Sequence, residues 1–260
     1  MMELNSRIGV IGDVHKKTSP MMYALDTFND KGIKHVVQIG DFAMYENPKG
    51  LGMVSNRAYK FGMEVWFIPG NHENFPMLMD IEDNPSLLPE NIHYLPKGSE
   101  LTIGDKTAIA VGGAVSVNKK FLREGVDWFP EEEISFMEMF QIMESDPVDI
   151  MLSHDCPSQI SLPVDCFSTH ARKEFGHDIL LRAMEHRAKL GEITNALKPQ
   201  VVIHGHYHHG YQATGVHDGG EFVSYGLDKE MNRGALAIFD SESMNCDMLL
   251  SEPLLEGALL

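Results

Sequence analysis

The chain has 260 residues, of which 43% are hydrophobic, so it can bury a substantial core, which excludes a disordered or fibrous protein. Its formal net charge of −17 disfavours nucleic-acid backbones and anionic membranes as partners. No apolar run is long enough to span a bilayer, the N-terminus does not resemble a signal peptide, and three cysteines without CxxC spacing indicate reduced thiols, so we expect a cytoplasmic protein.

The first half of the sequence alternates strand and helix signals. Short apolar runs predict three strands, at residues 7–13, 34–41 and 64–73. Two helices are predicted between them, at residues 19–32 and 50–62. The first has Ser19 as its expected N-cap, Pro20 in its first turn and Gly32 after its end. This order at these spacings predicts βαβ units and a parallel sheet.

The second half is richer in turns. Residues 91–114 and 221–240 are typical of antiparallel strands joined by glycine turns. Two further helices are predicted, at residues 130–144, beginning with the acidic run 131–133, and at residues 178–197. Apolar runs at 149–157 and 199–208 predict two more strands. No repeat or linker divides the sequence, so we expect a single domain spanning residues 1–260.

Five of the predicted strands end in polar residues. These residues are Asp13 and His15, Asp41, Asn71 and His72, His154, and His206 and His208. Ligand sites in α/β sheets form beyond the carboxyl ends of the strands, so all five clusters are expected to meet at one edge of the fold. Carboxylates, an amide and imidazoles without a thiolate suit Mn, Fe, Zn, Co or Ni ions.

The number of candidate ligands is right for two metal ions. A carboxylate can bridge two cations about 3.5–4 Å apart, and a hydroxide held between them becomes a nucleophile at neutral pH. In the stretch "HGHYH", we expect the alternate residues His206 and His208 to leave the strand on the same side, with Gly205 allowing a close backbone approach.

Each of these residues also has an ordinary structural interpretation when taken alone. Asp13, Asp41 and Asn71 follow strands, where turn residues are common, and a lone His154 is more often packed than bound to a ligand. Asp155 could orient His154 by accepting a hydrogen bond, or serve only in a loop. The ligand interpretation is favoured because the five clusters occur together.

With those residues in place, the chain resembles the calcineurin-like metallophosphoesterases. Their signature of D-x-H, G-D, G-N-H-[E/D], a lone His and G-H-x-H stands here in order, as "GDVH", "GD", "GNHE", "SHD" and "GHYH". The blocks run from Asp13 to His208, about four-fifths of the chain. The resemblance implies an α/β fold, a four-layer α/β/β/α sandwich of two mixed β-sheets flanked by helices.

The resemblance also implies a role for each matched residue. The first metal would be bound by Asp13, His15 and His208, the second by Asn71, His154 and His206, and Asp41 would bridge the two. His72 matches the family's catalytic histidine, which contacts the phosphate and can protonate the leaving group.

A narrower likeness covers residues 112–135, which resemble a small bacterial and phage subgroup of the family. This chain departs from the subgroup pattern at Asn118 and Phe129. Arg123 is the candidate to reach over the metals and hold a phosphate oxygen, since guanidinium suits that geometry. After "GD" the chain reads "FAMYE" instead of V-D-R-G, so a protein Ser/Thr phosphatase is disfavoured.

These features predict a dinuclear metal-dependent phosphoesterase, with manganese the favoured ion. We expect a phosphodiesterase that hydrolyses small nucleotide-like phosphodiesters, cyclic nucleotides included, because the acidic chain disfavours long polyanions. A phosphomonoesterase or nuclease acting at the same site remains an alternative, as does a non-catalytic binding scaffold. No extended nucleic-acid footprint and no membrane partner are expected, and the sequence leaves the oligomeric state open.

Overall fold

The computed structural model describes residues 2–249, and within them thirteen strands form two mixed β-sheets. In chain order the strands are β1 (Met2–Leu4), β2 (Arg7–Ile11), β3 (His35–Gln38), β4 (Glu64–Phe67), β5 (Ile92–Tyr94), β6 (Ser99–Ile103), β7 (Lys106–Val111), β8 (Ile150–Ser153), β9 (Val201–His204), β10 (Tyr211–His217), β11 (Gly220–Gly226), β12 (Leu236–Asp240) and β13 (Asn245–Leu249). The six-stranded sheet has the order β13-β12-β2-β3-β4-β5, and the seven-stranded sheet the order β1-β6-β7-β8-β9-β11-β10.

Each sheet has a parallel centre and antiparallel additions. Strands β2 to β5 run parallel, as the βαβ pattern predicts, whereas β12 pairs antiparallel with both β2 and β13. In the other sheet β7, β8, β9 and β11 run parallel, with β6 and β10 added by antiparallel hairpins. The expected hairpins in residues 91–114 are therefore confirmed only for β6 and β7, because β5 pairs parallel with β4.

Helices cover the outer face of each sheet. They are α1 (Thr18–Asp30), α2 (Pro48–Phe61), α3 (Phe75–Asp83), α4 (Phe136–Met143), α5 (Thr169–Phe175) and α6 (His177–Leu197). One apolar cluster lies between α1–α3 and the six-stranded sheet, a second between the two sheets, and a third between the seven-stranded sheet and α4 and α6.

The inner strands of the six-stranded sheet, β2, β3, β4 and β12, are largely buried on both faces. In β2, Ile8 and Val10 enter the cluster between the sheets, while Ile11 packs against the helices. This is the expected alternation for a strand covered on both sides, and it explains the continuous apolar runs in the sequence. The four-layer α/β/β/α sandwich of two mixed sheets is thus confirmed.

Two predicted helix starts are wrong. The N-cap position of α1 is Lys17, with no side-chain cap, so Ser19 lies inside the helix and does not cap it. The acidic run at 131–133 does not begin a helix: Pro130–Glu132 is a short 3₁₀ turn, and α4 begins only at Phe136. The reason is that Glu132 is buried and accepts hydrogen bonds from Ser116, which takes it away from the helix.

The described residues contain no helix that is both long and apolar enough to cross a membrane. The predicted single domain of residues 1–260 includes residue 1 and residues 250–260, which lie outside the described part of the chain.

Substitution of Ser135 tests the true start of α4. Ser135 accepts a hydrogen bond from the Glu138 backbone N–H while Glu138 accepts one from the Ser135 N–H, so the two residues form a capping box. We expect Ser135→Ala to lower the free energy of unfolding by about 1 kcal/mol in urea titrations. Ser145→Ala, two residues past the helix, is the matched control; equal losses in the two variants would contradict the assigned cap.

Candidate metal centre

Polar side chains from both sheets converge where the carboxyl ends of β2, β3, β4, β8 and β9 approach one another. Asp13 follows β2 and Asp41 follows β3, and both are buried. The His208 ring Nε2 lies 3.0 Å from Asp13 Oδ2, and the His154 ring Nε2 lies 3.4 Å from Asp41 Oδ1. His15 reaches the same carboxylate, with Nε2 3.4 Å from Asp41 Oδ2. These contacts join the ends of four strands, and Asn71 after β4 completes the set, with its Oδ1 3.1 Å from His154 Nε2.

Three overlapping groups among the described residues could each hold a cation. In each group, one ligand atom per residue lies within 4.8 Å of the others. The groups are Asp13, His15 and His208; His15, Asp41 and His72; and Asp13, Asp41 and His154. Because Asp13, His15 and Asp41 each belong to two groups, the groups form one connected cluster. Mixed carboxylate and imidazole donors fit first-row divalent ions, so the residues present suit the metals that the sequence predicts.

Glycines of the motifs allow the backbone to lie directly against the carboxylates. A Cβ atom on Gly70 would stand 2.1 Å from Asp41 Oδ1, and one on Gly205 would stand 2.4 Å from Asp13 Oδ1. Real side chains never approach so closely, so both positions require glycine to keep the aspartates in place. The expected close approach at Gly205 is confirmed, and its neighbour is Asp13.

The two histidines of "HGHYH" do not leave the strand on the same side, because β9 ends at His204. His206 and His208 both have left-handed backbone conformations, with φ of 66° and 50°. His208 turns toward Asp13, whereas the His206 ring packs against His154, with the ring centroids 5.2 Å apart. The alternation rule failed because residues 205–210 form a tight irregular loop instead of continuing the strand.

Interactions within the cluster shift the pKa values of Asp13, Asp41 and His15 toward their ionised forms. Burial would raise the pKa of Asp41, but interactions with His154 and His15 outweigh it and hold the pKa well below its usual range. Burial likewise acts against ionised Asp13, and His208 and His154 overcome it, so its pKa is also lowered. Burial would lower the pKa of His15, yet the hydrogen bond to and the charge of Asp41 raise it to about 9. Both aspartates are therefore ionised, which is the state in which a carboxylate can bind a metal.

Asn71 is oriented by a chain of hydrogen bonds that the sequence analysis missed. Its Nδ2 donates to Ser116 Oγ at 3.0 Å, and Ser116 Oγ donates to Glu132 Oε2 at 2.6 Å. The amide oxygen consequently faces the cluster, 3.1 Å from His154 Nε2. Both partners belong to residues 112–135, whose likeness to the subgroup was the available signal. This orientation presents oxygen, the atom of an amide that binds metals.

A second missed residue lies far along the chain, at Glu230. Its Oε2 is 2.9 Å from His15 Nδ1, and its Oε1 accepts a hydrogen bond from Lys17 Nζ. The backbone N–H of Glu230 also donates to the carbonyl of Asp13 at 2.8 Å. A carboxylate on the outer nitrogen of a histidine fixes the ring and its tautomer, leaving His15 Nε2 toward Asp41. No local sequence pattern predicts a contact between His15 and Glu230, which are 215 positions apart.

Glu73 joins two of the loops that carry the cluster. Its carboxylate accepts hydrogen bonds from the backbone N–H groups of Phe42 and Ala43 and from the Tyr45 hydroxyl. This fixes the loop after Asp41 to the loop that carries His72. Burial raises the pKa of Glu73 to about 7.

Asp155 does not orient His154, so that alternative is wrong. His154 Nδ1 faces the carbonyl of Ile39 at 2.8 Å. The carboxylate of Asp155 instead accepts the Tyr207 hydroxyl at 2.7 Å and lies 2.7 Å from His186 Nδ1. Burial opposes ionisation of Asp155, but the hydrogen bond and charge of His186 lower its pKa. Asp155 thus holds Tyr207, the residue between the two histidines of the loop.

The structure places Arg123 on the surface. Its side chain is 76% exposed, and its Nε lies 3.9 Å from Asp127 Oδ2. Asp127 itself lines a cavity of about 150 Å³ that is bordered by His15, His72 and Phe129. A contact between Arg123 and substrate phosphate therefore stays a prediction.

Comparison with known proteins gives a family and a fold. The family described as calcineurin-like phosphoesterase matches residues 6–210. The solved structure of TT1561 from Thermus thermophilus has a TM-score of 0.57 at 10% identity, covering 94% of this chain and 98% of that one. A dimetal phosphatase from Danio rerio has a TM-score of 0.54 at 14% identity, covering 89% and 91%. No sequence among curated proteins matches the chain significantly.

Glu230→Gln tests the orientation of His15. The amide keeps the size of the side chain but accepts less strongly from the imidazole, so we expect Mn²⁺ to bind about 10- to 100-fold more weakly in calorimetric titrations. Glu221→Gln, on the exposed part of β11, serves as the matched control. Unchanged Mn²⁺ affinity in Glu230→Gln would show that His15 needs no such support.

Glu132 predicts a pH dependence of stability. Burial raises its folded pKa to about 7 from an ordinary value of 4.5, despite hydrogen bonds from Ser116. The folded chain therefore binds this proton more tightly, and the free energy of unfolding falls as pH rises from about 4.5 to about 7, by at most about 1.4 kcal/mol per pH unit. In metal-free urea titrations, Glu132→Gln should remove this part of the slope and the exposed Glu131→Gln should keep it. Parallel slopes in both variants would contradict the assignment.

Proposed function

The chain belongs to the calcineurin-like phosphoesterase family, a family of metal-dependent phosphoester hydrolases, and we propose that it is a phosphodiesterase with two metal ions. Its substrates are small nucleotide-like phosphodiesters, cyclic nucleotides included, and manganese is the favoured metal. The observation that carries this proposal is the connected cluster of three ligand groups at the strand ends.

In this proposal the first metal is held by Asp13, His15 and His208. Their ligand atoms form one of the three groups, and Glu230 fixes the outer nitrogen of His15. Asp41 bridges to the second metal, which is supported by its position: one carboxylate oxygen faces His15 and the other faces His154.

The second metal is held by His154, Asn71 and His206. The amide oxygen of Asn71 and the Nε2 of His154 already face each other, 3.1 Å apart. His206 packs against His154, and burial lowers the pKa of His206 to about 4, which keeps its ring neutral and able to act as a ligand. When bound, the two metals supply water activation at neutral pH and stabilise negative charge on the phosphoryl group.

His72 acts on the leaving group. Its backbone N–H donates to Asp41 Oδ1 at 2.9 Å, which fixes the residue beside the cluster, and its ring lies 5.6 Å from that of His15. The half-buried imidazole borders the cavity of about 150 Å³, so an ester group placed there would have its oxygen within reach. As a general acid, His72 protonates that oxygen as the bond to phosphorus breaks.

The net charge of the chain bears on the size and charge of the substrate. The net charge of −17 repels long polyanions, which favours a single small phosphodiester over extended nucleic acid. A diester leaves only one negative charge on its phosphate and carries two organic groups. A site that binds a diester therefore needs space for one organic group on each of two sides of the metals.

Hydrolysis of simple esters tests the proposal. Metal-stripped protein with Mn²⁺ added back should cleave bis-p-nitrophenyl phosphate more efficiently than p-nitrophenyl phosphate. His72→Ala should lower kcat by about 10²–10⁴-fold while Mn²⁺ binding, measured by calorimetry, is retained. Asp41→Asn should weaken Mn²⁺ binding as well as activity, because it removes the bridging charge. His177→Ala, an exposed histidine at the start of α6, is the control.

Each other result points to a stated alternative. Preference for the monoester would make the protein a phosphatase with the same ligands. Absence of turnover of these esters and of a nucleotide panel with any divalent metal would contradict an enzyme and favour a binding scaffold. Full activity of Asp41→Asn would overturn the assigned bridge.

A further inference from the structure

A second cavity, which we call the side cavity, opens on the other side of the cluster. It has a volume of about 290 Å³ and lies between the loop before α5, helices α5 and α6, and the loop after β9. His206 lines it, and the ring of His206 is 5.2 Å from that of His154. The side cavity therefore begins one ring away from a proposed metal ligand. Among the predicted metal ligands and His72, His206 alone borders it.

The walls of the side cavity are largely aromatic and aliphatic. Phe167, Phe175 and Tyr207 contribute rings, and Leu180 and Ala183 contribute the buried side of α6. Flat apolar walls of this kind suit a planar aromatic group, because every such group has a face that stacks on a ring. The volume is close to the lower end of small-molecule sites, which begin at roughly 300 Å³.

Two of the rings are held in place by buried polar groups. Tyr207 donates its hydroxyl to Asp155 at 2.7 Å. The guanidinium of Arg187 lies 5.9 Å from the ring centroids of both Phe167 and Tyr207. Arg187 is itself bound to backbone carbonyls, including that of Ile160 at 2.6 Å. The site is thus formed before any ligand enters, which reduces the entropic cost of binding.

The rim of the side cavity is acidic. Asp165 and Glu174 are exposed carboxylates among its lining residues, and Glu174 also lies 3.4 Å from His170. Carboxylates repel a second phosphate but accept hydrogen bonds from amino groups. The rim therefore selects against a pyrophosphate chain and favours a ring that carries N–H donors.

We propose that the side cavity holds the amino-bearing nucleobase of the phosphodiester, as in an adenine nucleotide. This inference rests on the proposed function. In an acyclic diester, the nucleoside bound there is the group that stays on the phosphate, while the other ester group occupies the cavity of about 150 Å³ beside His72. Water adds to phosphorus and loses one proton to the solvent, the bond to the second ester oxygen breaks, and that oxygen takes a proton from His72. A nucleoside monophosphate and an alcohol are released, and His72 regains a proton from the solvent.

Two substrates with the same leaving group test the assignment: the p-nitrophenyl ester of adenosine 5′-monophosphate and methyl p-nitrophenyl phosphate. In Phe175→Ala, we expect kcat/KM for the adenosine ester to fall about tenfold, mainly through KM, since a stacking ring is lost. The value for the methyl ester should change less than about threefold, because that substrate does not reach the side cavity. Phe140→Ala, an exposed phenylalanine of α4, is the matched control.

Two further measurements distinguish loss of the side cavity from loss of folding. One uses a variant that fills the side cavity, and the other measures ligand binding directly. Ala183→Met narrows the side cavity from α6 and should give the same selective loss for the adenosine ester. Saturation-transfer NMR with adenosine alone, which needs no metal and no turnover, should detect binding to the wild type and a weaker signal for Phe175→Ala.

The outcomes separate this inference from the proposed function. Equal losses for both esters in folded variants would overturn the side cavity as a base site while leaving the phosphodiesterase intact. If the wild type hydrolyses neither ester, the proposed function fails, and the adenosine signal alone decides the side cavity: selective loss in Phe175→Ala supports it, and no signal from the wild type overturns it.

Discussion

Two buried carboxylates, Asp13 and Asp41, impose the main constraint on this structure. Buried ionised carboxylates need charged or hydrogen-bonding partners, and here imidazole rings from other strand ends lie beside them. The two sheets therefore have to meet at their carboxyl ends, since only there can groups from both reach the same point. The glycines of the motifs, which let backbone lie against these oxygens, follow from the same requirement.

Around this cluster lie three further carboxylates, which hold its members or their loops in position. Glu230 holds His15, Glu132 acts through Ser116 on Asn71, and Glu73 binds the loop after Asp41. Each is buried and contacts a polar group of a loop that carries a candidate ligand or its support. Positioning of the ligands thus depends on residues that are spread over much of the sequence.

The strands and the ligand cluster were predictable because their signals are local. Apolar runs that end in Gly-Asp or Gly-Asn-His report both a buried strand and its polar end, and parallel strands share an edge. The contacts of Glu230 and Ser116 had no such signal, since each depends on residues distant in the chain. The placement of His206 was missed for a different reason: the strand ends at His204, two residues before His206, and alternation holds only within a strand.

The pairing of β12 with β2 links the cluster to the order in which the chain is made. Arg7 of β2 lies opposite Asp240 of β12, so the strand that presents Asp13 acquires its second neighbour from almost the last described residues. During synthesis, one edge of β2 stays unpaired while more than two hundred residues are added. An unpaired strand edge can form hydrogen bonds with strands of other chains. Contacts this distant along the sequence also make for slow folding. Asp13 therefore reaches its final surroundings only after β12 has been made and has paired with β2.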